Sequence, residues 1–413
     1  MDSELNIRLL FIFAGVFALY EGFQNWLRGR IFEHPGLVLA HTVTYMMAFS
    51  LFLIGLLNDK HITWLDWYPL IVLIFTSFYS VYVVSEIVYK GVYRTDALAF
   101  SHYSAMEFVN QIKHGELFNP YTRDLQEALR IYSVDVDYIT FKENGDIITS
   151  FNYPALHFLV FVPFVYLGWQ DVRWIILLFE IASIVFIYIK APQKIRPLVV
   201  LPLFAGSDLA INFTAGCVTD FLWMFPLIIA AFYMDEYPYI AGFFFGLSCA
   251  TKQIPWLIAP FLLIWVLLSV KGKYSRRIFM AVVFAASSLV GFILPNIYFI
   301  RESFDAWVEG VFTPLTESLV FLSQGLSLFT QTGIISVQKE FYLFVMLWLF
   351  FILLLNYTVY FEKLKYTVWV YPMLILWASY RGLQNYFISW IPLLIVSLIL
   401  WYKSVVEKDG VHS

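Results

Sequence analysis

Asp96, Asp208, Lys252 and Arg381 are the charged residues whose types and positions suit joint chemistry. Asp96 closes Tyr93-Arg94-Thr95-Asp96, just after an apolar run that ends near residue 89. Ser207-Asp208 interrupts the apolar run 197–213, with Asn212 one turn further, where a bare charge costs several kcal/mol. Lys252 ends the run 239–252, and Gln253-Ile254-Pro255 behind it breaks the helix and holds the amine at a water-facing kink. Arg381 and Asn385 share the short turn Arg381-Gly382-Leu383-Gln384-Asn385-Tyr386. Each has a plain structural reading: a helix cap, a snorkelling cation, a loop charge. Taken jointly on one face, two carboxylates, an ammonium and a guanidinium suit an anionic substrate and a proton to be removed.

Whether they share a face depends on the elements that carry them. Of 413 residues 61% are hydrophobic and 20% aromatic, and only 14% are charged. Soluble domains carry about 25% charged residues, so this composition cannot cover a soluble surface of that size. The mean hydropathy of +0.73 agrees. Net charge is −4 and no basic tract exceeds a loop, which excludes a nucleic-acid surface together with disorder, collagen and coiled coil. Cys217 and Cys249 lie in apolar sequence and offer neither a disulfide framework nor metal spacing.

A bilayer core needs about 20 apolar residues per helix. Runs that qualify are 6–26, 37–57, 64–89, 174–189, 197–213, 218–234, 239–252, 254–270, 278–299, 341–361, 366–380 and 386–402. The fold class expected is therefore an all-α polytopic transmembrane bundle of about twelve spans. The N-terminus lacks a basic segment and a cleavage site, so the first run reads as an uncleaved helix. Stretches 151–169 and 326–337 carry Pro154, Pro163 and Gly333 and read as re-entrant or interfacial. Short loops Lys190–Arg196, Lys271–Arg277 and Lys363–Lys365 and the tail with Lys403 and Lys408 hold the positive charge, which places them and both termini in the cytoplasm. Arg28 and Arg30 fall outside, against that rule.

The organisation expected is N-terminal helices over 1–89, an external loop over 90–150, and a bundle over 151–413 with a second external loop at 300–325. The 90–150 loop is far above the usual helix connection and reads as functional. Its pieces Ala97–Lys113 and Arg123–Tyr132 have helical periodicity, suiting short helices on the outer surface.

Weaker candidates share that loop. His102 and Tyr103 follow Asp96, but the spacing of His102 and Glu107 is wrong for a zinc helix. His157 in Asn152-Tyr153-Pro154-Ala155-Leu156-His157 reads as a hydrogen-bonded core histidine, and Glu180 as a residue paired inside the bundle. Gly242-Phe243-Phe244-Phe245-Gly246 fits a small-residue packing face. The absence of phosphate-loop, dinucleotide and serine-hydrolase motifs removes support for those chemistries. No cofactor or metal is expected, although Asp96 and Asp208 could share a cation.

The run Tyr93-Arg94-Thr95-Asp96-Ala97, then His102-Tyr103, Asn119-Pro120-Tyr121 and Asn152-Tyr153-Pro154-Ala155-Leu156, resembles the first outer loop of the GT-C glycosyltransferases that use polyprenyl-phosphate sugars. Ala155 stands where relatives carry a second proline. Gly246-Leu247-Ser248-Cys249-Ala250-Thr251-Lys252-Gln253 is similar to the family's Lys-bearing helix end, Gly206-Ser207-Asp208 to a second outer acidic site, and Arg381 to Phe387 to a late outer turn. The resemblance covers roughly 90–400. It implies a mannose-like hexose moved from a polyprenyl or dolichyl phosphate donor to a glycan, lipid or protein acceptor, in a cell or endoplasmic reticulum membrane, on the external or lumenal face. On it Asp96 becomes the general base, Asp208 an acceptor-orienting or Lys252-orienting carboxylate, and Lys252 and Arg381 the phosphate ligands. His102, Tyr103, Asn152, Tyr153 and Asn385 become candidate sugar and acceptor contacts. A donor with its own phosphate leaving group and a single base suggest direct displacement with inversion. The competing class is a transporter or lipid flippase, but transporters place their sites near the bilayer midplane on paired broken helices, whereas these charges gather at one face.

Overall fold

The computed structural model describes residues 3–27, 35–56, 64–88, 92–200, 214–388 and 390–408. Among them the chain is all-helical, apart from isolated bridges of Phe141 with Ile147 and Lys142 with Leu319. Helices α1 (Ser3–Leu27), α2 (Pro35–Leu56) and α3 (Trp64–Val88) come first, with α1 packed along α2. The two helical pieces expected within 90–150 follow, as α4 (Asp96–Lys113) and α5 (Gln126–Ile131). Next come the short helices α6 (Leu156–Leu159) and α7 (Val162–Tyr166), followed by α8 (Arg173–Lys190). The central bundle is α9 (Asp220–Tyr233), α10 (Pro238–Cys249), α11 (Ala259–Ser269) and α12 (Tyr274–Glu302). It continues as α13 (Phe304–Thr316), α14 (Leu328–Gln331), α15 (Lys339–Val359), α16 (Phe361–Leu364), α17 (Tyr371–Trp377), α18 (Gln384–Ile388) and α19 (Ile391–Lys408).

Among the described residues, five helices are long and apolar enough to cross a membrane: Ile7–Gln24, Pro69–Val88, Tyr274–Glu302, Lys339–Val359 and Asn385–Val405. The chain is an integral membrane protein. Thr44–Leu56, Leu156–Tyr166, Asp220–Tyr233, Pro238–Cys249 and Ile254–Ser269 are apolar but shorter. Prolines explain part of the difference from twelve full-length runs. Pro238 starts α10, Pro255 turns Ile254–Ile258 into a 3₁₀ segment, and Pro372 sits in the first turn of the seven-residue α17. Ring geometry and the missing N–H stop a helix from running through such positions undisturbed. Of the run 197–213, residues 197–200 end a 3₁₀ segment, Gln193–Val200, and 201–213 lie outside the described residues.

The tightest joint is between α10 and α12. A Cβ at Gly242 would lie 2.5 Å from the Phe284 carbonyl oxygen, one at Gly246 2.1 Å from that of Ser288, and one at Gly291 2.3 Å from that of Phe243. The small-residue face read from the sequence is therefore a backbone-to-backbone contact, the kind by which helices associate where apolar burial cannot drive them. It fixes the end of α10, and Lys252 sits three residues past that end.

Charge then gathers at the two ends of α9, whose 14 residues span about 20 Å. Asp220 opens the helix. Beyond its far end, Asp235 accepts from Lys365 Nζ at 2.6 Å, from Trp265 Nε1 at 3.1 Å and from the Tyr366 hydroxyl at 3.2 Å. The two long polar segments expected on one side do touch. Glu143 N donates to Ser318 O at 2.8 Å, Val320 N to Phe141 O at 3.0 Å, and Lys142 pairs with Glu317 at 2.8 Å.

The glycine joint gives a direct prediction. Gly246→Val has nowhere to put its side chain without parting α10 from α12, and overpacking of this kind costs about 1–3 kcal/mol or more. The melting temperature in detergent should fall clearly, while Ala substitution at the exposed Leu289 of α12 should leave it within error.

Candidate active site

The best-formed polar centre is a buried ion pair. Lys252 Nζ lies 2.6 Å from Asp220 Oδ1, with both side chains almost fully buried. Asp220 also accepts from Trp223 Nε1 at 2.7 Å on the same oxygen and from Asn385 Nδ2 at 2.5 Å on the other. Three helix ends converge to make it: the first turn of α9 holds Asp220, the segment past α10 holds Lys252, and α18 holds Asn385. An acidic residue in a first helical turn faces free N–H groups and the positive end of the helix dipole, which suits Asp220.

The segment 151–157 docks against this centre. Tyr153 places its ring 6.0 Å from the Lys252 ammonium, and Tyr386 places its own at 5.4 Å, so two aromatic faces flank the cation. The Tyr153 carbonyl accepts from the Tyr121 hydroxyl at 2.7 Å, which joins the Asn119-Pro120-Tyr121 and Asn152-Tyr153-Pro154 motifs physically. Gln253 Nε2 donates to the carbonyls of Asn152 (2.8 Å) and Val311 (2.7 Å), and Leu156 N to the Ala250 carbonyl at 3.1 Å. Asn296 Oδ1 accepts from Ala155 N at 2.9 Å and Trp307 Nε1 at 3.1 Å. Asn152 Oδ1 is buried, and among the described residues it has no hydrogen-bond partner.

Asp96 reaches the same neighbourhood from α4. Thr95 is the N-cap: its hydroxyl accepts from Leu98 N and donates to the Cys217 carbonyl at 2.8 Å. Cys217 holds a left-handed backbone with φ +76°, unusual for a side-chain-bearing residue, in the turn that leads into Asp220. The Asp96 carboxylate is buried and accepts from Thr140 N at 2.9 Å. Burial pushes its pKa up, against the hydrogen bonds from Thr140 and Ala97 and the charge of Arg381, all of which pull it down. Burial also keeps the Tyr153 phenol protonated. Asp96, Tyr386 and Asp220 push the same way, and Arg381 opposes. Tyr153 thus stands within electrostatic reach of both carboxylates and the guanidinium. Arg381 Nη1 donates to the Val320 carbonyl at 3.1 Å, and among the described residues the guanidinium forms no salt bridge.

The sequence candidates therefore divide. Asp96, Asn152, Tyr153, Lys252, Arg381 and Asn385 come together. Asp208 and Asn212 lie outside the described residues. His102 does not join the group. Its Nδ1 is 2.9 Å from the Tyr93 hydroxyl, and its ring stacks against Tyr93 and Tyr132 at centroid distances of 5.8 and 4.9 Å. Burial pushes its pKa down to about 4, so it is neutral near pH 7. Tyr103, seven residues past Asp96 and so back on the same side of α4, is partly buried within reach of Glu107 and Glu127. Glu180 accepts from the Thr214 hydroxyl at 2.6 Å inside the bundle. Among the described residues no group of three His, Cys, Asp or Glu side chains could hold a metal ion. Sequence reasoning missed Asp220. Its signal was a carboxylate opening the apolar run 218–234, the same kind of interruption that drew notice at Asp208.

A family model described as Glycosyltransferase family 87 matches residues 151–403, well over half of the chain. The chain belongs to glycosyltransferase family 87. No curated protein and no solved structure matches it. The protein is a membrane glycosyltransferase, and the matched span of this family 87 enzyme includes Tyr153, Asp220, Lys252, Arg381 and Asn385, while Asp96 lies ahead of it.

The buried pair separates stability from activity in this transferase. Lys252→Met leaves the Asp220 carboxylate uncompensated and should destabilise by about 3–5 kcal/mol. Adding Asp220→Asn keeps acceptor and donor groups for Trp223 and Asn385 while removing the stranded charge. The double variant should recover most of the melting temperature and none of the transfer activity. A double variant as unstable as Lys252→Met alone would deny that charge balance holds this joint.

Proposed function

We propose that this enzyme moves a mannose-like hexose from a polyprenyl or dolichyl phosphate to a hydroxyl acceptor on the external or lumenal face of its membrane, with inversion. Asp96 is the general base. The acceptor oxygen attacks the anomeric carbon and gives its proton to the Asp96 carboxylate. The bond from that carbon to the phosphate oxygen breaks, and its electron pair leaves with the polyprenyl phosphate. The carrying observation is a buried carboxylate with no paired cation, its pKa raised by burial, in the field of an Arg381 guanidinium that forms no salt bridge among the described residues. A base works best when its pKa approaches the working pH. Preorganised cations stabilise charge that develops on a leaving group.

The two cations take different parts in this reading. Arg381 meets the phosphate directly, since among the described residues its guanidinium bonds only the Val320 carbonyl. Lys252 is already held by Asp220, so it lends positive potential from a fixed position, and Asp220 does the orienting first assigned to Asp208. Tyr153, Asn152 and Asn385, with Tyr103 on the loop side, line the sugar and acceptor, while His102 supports α4 from within its aromatic stack. The donor carries its own leaving group, so neither nucleotide nor cofactor is required. The topology proposed is the twelve-span one, with 90–150, 300–325 and the Arg381 turn external and Lys271–Arg277 cytoplasmic. The contacts between 140–143 and 317–320 support the shared side of the two loops.

Transfer by purified protein in detergent, with a polyprenyl-phosphate hexose and no second compartment, tests the reaction; a transporter would yield no product there. Asp96→Asn leaves Thr95 as the N-cap of α4 and keeps a side-chain oxygen to accept from Thr140 N, so the melting temperature should barely move. Turnover should drop by about 10²–10⁴, the usual worth of a general base. Because the base must be ionised and burial raises its pKa, kcat/KM should fall with decreasing pH at a midpoint above the ordinary carboxylate value of about 4. An acid limb at or below that value, or near-normal turnover in Asp96→Asn, would remove Asp96 from this role.

A further inference from the structure

A buried imidazole lies between the Asp96 helix and the Asp220 helix, and the mechanism leaves it unused. His157 Nδ1 is 2.6 Å from the Ser101 hydroxyl on α4, and its Nε2 is 2.8 Å from the hydroxyl of Thr219, which immediately precedes Asp220. Ser101, His157 and Thr219 are all essentially inaccessible to solvent. The Ser101 hydroxyl donates its one proton to the Ala97 carbonyl at 2.7 Å, so towards the imidazole it accepts, and Nδ1 carries the hydrogen. Nε2 then accepts from Thr219, and both ring nitrogens are satisfied in the neutral form. The ring also stacks face to face on Tyr153, with centroids 4.1 Å apart and planes 10° from parallel, on the tyrosine whose ring flanks Lys252.

We propose that His157 is a positioning residue for glycosyl transfer, clamping Ser101 of α4 to Thr219 at the head of α9 and backing Tyr153, so that it fixes Asp96 relative to the Asp220–Lys252 pair. This rests on reading Asp96 and the Lys252 neighbourhood as the two sides of the reaction. A position that only had to be filled would take an apolar side chain, which asks nothing of its neighbours. Here two hydroxyls from separate elements meet one ring, and a buried polar ring costs free energy unless such partners are present. The clamp joins elements more than 50 residues apart in sequence on either side, Ser101 to His157 and His157 to Thr219. A shift of about 1 Å in such a joint can cost about a hundredfold in rate without touching the substrate.

The test is steady-state transfer, from a polyprenyl-phosphate hexose, by folded, monodisperse protein, with melting temperatures measured alongside. His157→Phe keeps a ring over Tyr153 and loses both hydrogen bonds, so kcat should fall roughly ten- to a hundredfold, as for a misplaced catalytic group, while donor KM stays within about twofold. His157→Gln restores one donor and one acceptor and should regain part of the loss. Ser101→Ala combined with His157→Phe should be no slower than His157→Phe alone, because both cut one link. If His157→Phe fails to fold, Ser101→Ala and Thr219→Val must each lower kcat. Unchanged kcat per folded molecule, with or without a lower melting temperature, would make His157 a packing residue and overturn the proposal. A raised donor KM with normal kcat would overturn it too. Wild-type protein silent with polyprenyl-phosphate donors would refute the reaction, and this role with it; an active wild type with indifferent variants would refute the positioning role alone.

Discussion

Taking Asp220 and Lys252 out of water together costs several kcal/mol per ion, and their attraction offsets that only with close geometry and satisfied remaining valences. Much of the surrounding structure meets those terms. Trp223 and Asn385 occupy the carboxylate's other positions, and the rings of Tyr153 and Tyr386 flank the ammonium. Lys252 cannot drift, because α10 is pressed onto α12 through Gly242, Gly246 and Gly291, and Gln253 ties the next residue to the Asn152 and Val311 carbonyls. The pair thus draws α9, α10, α18 and the 151–157 segment to one point.

The 90–150 segment completes the candidate site from another direction. Thr95 starts α4 and ties it to the Cys217 carbonyl, so the turn into Asp220 and the helix of Asp96 share an anchor. Thr140 covers Asp96, Phe141 bonds Val320, and Val320 accepts from Arg381. A short run of contacts therefore links Asp96 to Arg381 through backbone groups. Among the described residues the Asp96 carboxylate forms no direct ion pair, the condition under which burial can raise its proton affinity.

Much of this was legible in the residues. Composition alone requires a membrane bundle, and the helical periodicity of Ala97–Lys113 gives α4 to within a residue. The Gly242 and Gly246 spacing gives the α10–α12 joint. What sequence reasoning missed was pairing. Asp220 looks like the edge of an apolar run until Lys252, 32 residues on, is seen beside it. His102 follows Asp96 by six residues, which at about 100° per residue turns it away from Asp96 and into the Tyr93 and Tyr132 stack. His157 reads as an ordinary core histidine because its partners, Ser101 and Thr219, come from segments that no local pattern connects. Apolar runs in the sequence do not by themselves give helix lengths: α10 starts at Pro238, Pro255 opens a 3₁₀ segment and Pro372 opens the seven-residue α17.

In the proposed reaction the lipid phosphate binds at the Asp220 end of α9, between Arg381 and the flanked Lys252, with the sugar turned towards Asp96. A structure of the wild-type protein with polyprenyl phosphate bound tests it most directly. Phosphate density should contact the Arg381 guanidinium beside Tyr153, with open space between it and the Asp96 carboxylate that accommodates a hexose. Phosphate bound instead at the opposite end of α9, against Lys365 and the Asp235 cluster, would contradict it.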